Sequence, residues 1–224
     1  GTTPFAVGFG IIVVAMLPVL FAWKESPDFH EEEHVPFAPF IWAVPTATAA
    51  VFVFGAVETG GFALFPVFGA RIGYSEANAA LLLPTIGLGN VLMQIPIGLL
   101  SDHVKDRRKI LLACTLIGLL GMGLLPFIYY SWYLVAALLF VWGGAVAGLY
   151  TVGLAHLGSQ LTGRELASAN AAFVFCYAVG MLVGPQAIGI GMDMMGPSGF
   201  AVALALFFAA YALLVGSRLI SRKG

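Results

Sequence analysis

The chain has 224 residues, of which 60% are hydrophobic and only 9% charged, against about 25% charged in soluble domains, too few to coat a water-soluble monomer. A formal net charge of -1 without any long basic run excludes the concentrated cationic footprint of a nucleic-acid binder. Cys114 and Cys176 both lie in apolar runs, which excludes a disulfide-stapled secreted scaffold and leaves an integral membrane protein.

The apolar stretches are continuous rather than alternating, so they predict spanning helices and not the strands of a barrel. Seven are predicted, over 4–23, 38–70, 77–100, 109–130, 132–157, 165–192 and 199–217, each reaching the roughly 20 residues that cross a hydrocarbon core. The expected fold class is therefore an all-α integral membrane protein with seven transmembrane helices. The first span lacks the basic leader and small-residue cleavage site of a signal peptide. It begins almost at Gly1 with no Met, so the chain reads as a piece of something longer.

Basic residues accumulate on the cytoplasmic side of a membrane. If the first span ends inside, the inner segments hold Lys24, Lys105, Arg107, Arg108, Lys109, Arg164, Arg218, Arg222 and Lys223, and the outer ones only Arg71. This predicts an N-terminus outside and a C-terminus in the cytoplasm. The first inner segment, 24–37, carries Glu25, Asp28, Glu31, Glu32 and Glu33 and reads as a solvated acidic linker. His30 and His34 flank its glutamates, but their spacing fits no closed metal site, and no metal or other cofactor is expected.

Polar residues are shared unevenly among the spans. Spans two, three, five and six hold Thr46, Thr48, Glu58, Thr59, Asn90, Gln94, Tyr150, Thr151, His156, Asn170 and Gln186, whereas spans one, four and seven hold little beyond Thr115 and Tyr211. Unpaired polar groups are expensive in lipid, so the polar helices should face a bundle interior or watery cavity and the bare ones lipid. Each triplet among the last six spans has two polar helices followed by one apolar helix, the pattern of a repeated three-helix unit around a central pathway.

The loop after span three runs from Gly98 through Asp102 and His103 to Lys105, Asp106, Arg107, Arg108 and Lys109. It resembles the signature loop of the major facilitator superfamily: Gly, three residues, Asp, a basic residue, then an Arg/Lys pair after a tight turn. His103 stands where a stronger base is usual, and Lys105 where a turn glycine is common. Gly98 would permit close helix approach, Asp102 would pair with a cation or helix N-terminus, and the basic cluster would anchor at anionic headgroups. A plain positive-inside loop is the competing reading. Spans five and six, from Gly148 to Leu157, then Arg164 and Glu165, then Gly180, Gly184 and Pro185, with Gly189, Asp193 and Gly196 following, are similar to the C-terminal half of bacterial facilitator permeases.

The resemblance implies a transmembrane helix of an N-terminal half over 1–23, the linker, a six-helix C-terminal transporter half over 38–217 built from two three-helix repeats, and a basic tail over 218–224. It implies secondary active transport of a small-molecule substrate by alternating access in a bacterial inner membrane, with membrane lipids and the missing N-terminal half as partners and no enzymatic role. Gly98, Asp102, Arg107 and Arg108 would form the conformational-switch loop, and Gly180, Gly184 and Pro185 would pack and kink a helix.

Glu58 is the one carboxylate deep in a span. Its stretch would be about 50 Å long as a single helix, so it should be tilted or broken, most naturally at Thr59-Gly60-Gly61 or Pro66. An intramembrane charge costs on the order of 3 kcal/mol on insertion scales, which makes Glu58 either a substrate contact or proton carrier, or a protonated structural residue. Asn90 and Gln94, four apart, share a helix face and would serve either a substrate or inter-helix hydrogen bonds. His156 reads as an interfacial residue or a gate. Tyr150 and Thr151 adjoin a small-residue face, and Gln186 completes the candidate pathway. Tyr129, Tyr130, Trp132 and Tyr133 read as interfacial anchors. A retinal protein would need a lysine deep in a span and a serine hydrolase an oriented triad; neither is present. A non-transporting membrane sensor or structural subunit is the alternative to a carrier.

Overall fold

The computed structural model describes residues 2–21 and 35–221, which are helical with no strand among them. The acidic linker, with His30 and His34, lies largely outside the described residues. The chain divides into two units at His34. The first contains α1 (Thr3–Phe21), whose apolar side chains, such as Phe5, Phe9 and Ile12, are exposed.

The second unit contains α2 (Ala38–Ala43), α3 (Pro45–Arg71), α4 (Glu76–Ala80), α5 (Leu83–His103), α6 (Arg108–Ile128), α7 (Trp132–Gly158), α8 (Gly163–Met195) and α9 (Ser198–Ser221). With α4 and α5 joined as one span, six of its helices are long and apolar enough to cross a membrane, while the stretch Phe5–Pro18 of α1 is a shorter apolar helix.

The 38–70 stretch is broken, but at Val44 rather than at the glycines or Pro66. A proline disfavours the helical conformation of the residue before it, and Val44 sits at φ -122° and ψ 52°. Pro45 then opens α3, where its missing N–H costs nothing. The break leaves carbonyls to satisfy, and the Thr48 hydroxyl donates toward those of Ile41 (3.0 Å) and Val44 (3.3 Å). Gly60 and Gly61 stay inside α3 because packing uses them: Gly60 faces Gly184 and Ile188, and Gly61 faces the Trp142 ring.

The helices pair in a crossed fashion. The first helix of one triplet, α3, packs most extensively on the second of the other, α8, and α7 packs in the same way on α5. Both seams run through glycines. A methyl group at Gly180 or Gly184 would collide with the backbone of Phe52 or Ala56, and one at Gly89 or Gly143 with the backbone of Phe140 or Ile86. The third helices, α6 and α9, pack on each other, with Gly118 against the Phe208 ring. This exchange of partners is what two related triplets would produce.

The bare helices α6 and α9, expected to face lipid, present apolar outer faces and are buried on the other side. Helices α6 and α9 expose Leu120, Phe127, Leu206 and Leu213 yet bury Leu111, Leu125, Leu204 and Phe208, and the Tyr211 hydroxyl, fully inside, donates to the Thr46 carbonyl at 3.0 Å. The more open spans are α5 and α8, which carry Asn90, Gln94 and Gln186.

Candidate functional site

The α3–α8 seam places Glu58 against Tyr177. A Cβ at Gly55 would lie 2.5 Å from the Tyr177 carbonyl oxygen, so the absence of a side chain there lets Tyr177 approach α3. The Tyr177 hydroxyl donates to Glu58 Oε2 at 2.9 Å. Phe54, one turn before Glu58, stacks on the Tyr177 ring at 5.7 Å, and Tyr150 of α7 meets Phe54 at 5.3 Å, Tyr177 at 6.1 Å and Phe173 at 5.5 Å. Phe54 and Phe173 are buried, whereas Glu58, Tyr150 and Tyr177 are half-buried. Aromatic packing thus fixes the phenol that holds the carboxylate. The arrangement is a single acid on an aromatic wall, able to exchange a proton or to accept a hydrogen bond or cation from a solute.

Of the predicted pathway residues, Tyr150 joins Glu58 through Tyr177, and Thr151 follows it, half-buried. Asn90 and Gln94 meet each other instead, with Gln94 Nε2 donating to Asn90 Oδ1 at 3.0 Å on the open side of α5. Gln186 is exposed on α8, and Pro185 sits inside that helix without ending it. Sequence reasoning missed Phe54, Phe173 and Tyr177. Their one signal is spacing: Phe54 with Glu58, and Phe173 with Tyr177, each lie four apart on one helix face.

The two ends of the bundle are clasped. At one end Arg71 of α3 donates to the Met192 carbonyl at 2.8 Å and pairs with Asp193 at 3.3 Å. At the other, the loop Val104–Arg107 is held by Arg108, which is buried and grips Asp106 through Nε (2.9 Å) and Nη2 (2.7 Å) while Nη1 donates to the Arg218 carbonyl at 2.9 Å. Arg107 lies 3.6 Å from Asp102 and donates to Ser101 at 3.1 Å. His156 is buried, with a ring nitrogen 2.6 Å from Gln160 Nε2. Gly98 makes no close approach in the described bundle, since a methyl there would meet nothing within 4 Å. Among the described residues no group of three His, Cys, Asp or Glu side chains could hold a metal ion.

The bidentate hydrogen bonding from Arg108 holds the Asp106 carboxyl below the usual carboxylate range. A depressed folded-state value stabilises the fold above the unfolded value, near 3.8, and that contribution disappears as pH falls through the folded one. The melting-temperature gap between the native chain and Asp106→Asn in detergent should therefore be full at neutral pH and close progressively below about pH 4. A gap that stays constant to pH 2 would show that the clasp does not depend on charge.

The Major Facilitator Superfamily model matches residues 2–185, with a further match over 72–224. The chain belongs to the major facilitator superfamily. Its relatives include the uncharacterized MFS-type transporter YfkF of Bacillus subtilis (strain 168), 30% identical over 195 residues that cover 83% of this chain and 49% of that protein. YE1530 of Yersinia enterocolitica is 24% identical over 188 residues, 82% of this chain and 47% of its own length. YcaD of Escherichia coli O17:K52:H18 is 25% identical over 179 residues, 79% and 46% of the two chains. Both also bear the name of uncharacterized MFS-type transporters. This facilitator-superfamily chain spans about half the length of the curated relatives it matches. Family and helix composition make it a multi-pass membrane protein of a transporter family rather than of an enzyme family.

Proposed function

We propose that the chain supplies one half of a proton-coupled secondary carrier that moves a small molecule by alternating access, with Glu58 as the group that changes partner during the cycle. The observation that carries this reading is the Glu58–Tyr177 hydrogen bond across the α3–α8 seam. Intramembrane carboxylates are expensive and mark solute or proton pathways, and this one is held by a neutral hydroxyl that a solute or proton can replace. The second half is inferred from the length of the relatives and from the amides of Asn90, Gln94 and Gln186 on the open sides of α5 and α8. In this reading residues 38–217 form the carrier half, 1–23 a helix of the other half, 24–37 a linker and 218–224 a basic tail. The basic end of the bundle faces the cytoplasm of a bacterial inner membrane. The Asp102–Arg107 pair and the Arg108 clasp bias the balance between inward-facing and outward-facing states, which differ by a few kcal/mol.

The test uses the complete carrier in liposomes containing a pH dye, challenged with a panel of sugars, amino acids and organic cations. A solute that moves protons through the native protein should move none through Glu58→Gln, which mimics the protonated side chain, while exchange of that solute down its own gradient persists. Unchanged solute-driven proton movement in Glu58→Gln would sink the assignment.

A further inference from the structure

We infer that the basic end of the bundle binds a phosphate-bearing anion, in a pocket separate from the Glu58 site. The pocket has a volume of about 1050 Å³ and lies between the start of α3, the loop before α6 and the ends of α7 and α9. That volume accommodates a headgroup or small metabolite. Four basic side chains line it, Lys105, Arg107, Arg108 and Arg218, against the single carboxylate of Asp106.

The hydrogen bonds divide these charges into two classes. Asp106 is committed to Arg108, which also supports the Arg218 carbonyl, so this pair builds the wall and sets the spacing between the loop and α9. Arg107 turns toward Ser101 and Asp102. The Lys105 ammonium and the Arg218 guanidinium have no ion-pair or hydrogen-bond partner among the described residues, although they approach the same space from two different elements. Ser159, Gln160 and Ser217 add neutral polar groups to the lining. Two uncommitted cations over a floor of buried polar side chains, Thr46, Arg108 and His156, match a phosphate group, which takes several charge-assisted hydrogen bonds at once. The pocket is lined by the start of α3 and the end of α9, and ends of membrane-spanning helices are where lipid headgroups lie. The phosphate could come from an anionic phospholipid or from a soluble phosphate ester.

Thermal unfolding of the purified full chain in detergent, at fixed ionic strength, distinguishes the sources. Phosphatidylglycerol, phosphatidylcholine, glycerol phosphate and inorganic phosphate are titrated separately against the native chain, the double variant Lys105→Gln/Arg218→Gln, and Lys109→Gln, whose position is outside the pocket lining. The expected result is a saturable rise in melting temperature with phosphatidylglycerol, weakened about 30-fold in apparent affinity in the double variant and retained in Lys109→Gln. A comparable rise with glycerol phosphate or inorganic phosphate would support the same pocket with a soluble ligand. Should the double variant not fold, Lys105→Gln alone should weaken binding about fivefold. An equal rise with phosphatidylcholine, equal weakening in Lys109→Gln, or no rise with any phosphate compound would overturn the proposal.

Discussion

Gly184→Leu should remove most of the folded protein from the membrane, whereas Gly189→Ala on the same helix should leave yield and melting temperature close to native. At Gly184 a Cβ alone would collide with the backbone of Ala56, and Gly180, one turn earlier, faces the backbone of Phe52 in the same way. A flexible side chain could move aside; helix backbone cannot, so the substitution must push α3 and α8 apart. Overpacking of this kind costs about 3 kcal/mol or more, a large share of the roughly 5–15 kcal/mol that holds a domain together. Apolar surface does not drive helices together in lipid, where association depends on such close packing, so little remains to compensate for a separated seam. At Gly189 the added methyl would meet nothing within 4 Å. Monodisperse yield after extraction and the melting temperature decide the matter, and a well-folded Gly184→Leu protein would show that α3 and α8 do not approach as closely as described.

The spans after the first linker are legible in the sequence to within a few residues, because hydrophobic length is a one-dimensional property and charged or turn-forming segments interrupt it. The crossed pairing of α3 with α8 and of α5 with α7 is not legible in the same way. Gly60, Gly180 and Gly184 read as possible hinges or packing points until it is known what lies across from them, which is why the sequence points to a break at Thr59-Gly60-Gly61 or Pro66 while the real one lies at the less conspicuous Val44-Pro45. Glu58 stood out because a carboxylate in an apolar run is costly wherever the helix faces. Its partner did not, since Tyr177 is one aromatic among many on spans rich in them, and its role depends on a contact 119 residues away. The amides of Asn90 and Gln94 show the opposite case: the spacing of four correctly puts them together, but it carries no information about their distance from Glu58.

Tyr177→Phe should lower proton-coupled transport about 3- to 20-fold, the range expected from losing one interhelical hydrogen bond in a membrane, and it should have no further effect once Glu58 is Gln. The variant removes only the hydroxyl; the ring that stacks on Phe54 and meets Tyr150 is kept, so folded yield should change little. If Tyr177 acts by positioning the Glu58 carboxylate, its contribution disappears when no exchangeable proton is left at residue 58. The double variant should then transport like Glu58→Gln alone, a strong departure from additivity. If Tyr177 instead contacts the solute independently of Glu58, the two losses should multiply in the exchange assay, which does not need the proton. A purely structural pairing predicts a third pattern, in which both single variants lose melting temperature and the surviving molecules transport normally. Coupled accumulation, exchange and melting temperature measured on the native carrier, both single variants and the double separate these cases. Multiplicative losses in exchange would dismiss the positioning role while leaving Glu58 itself in place.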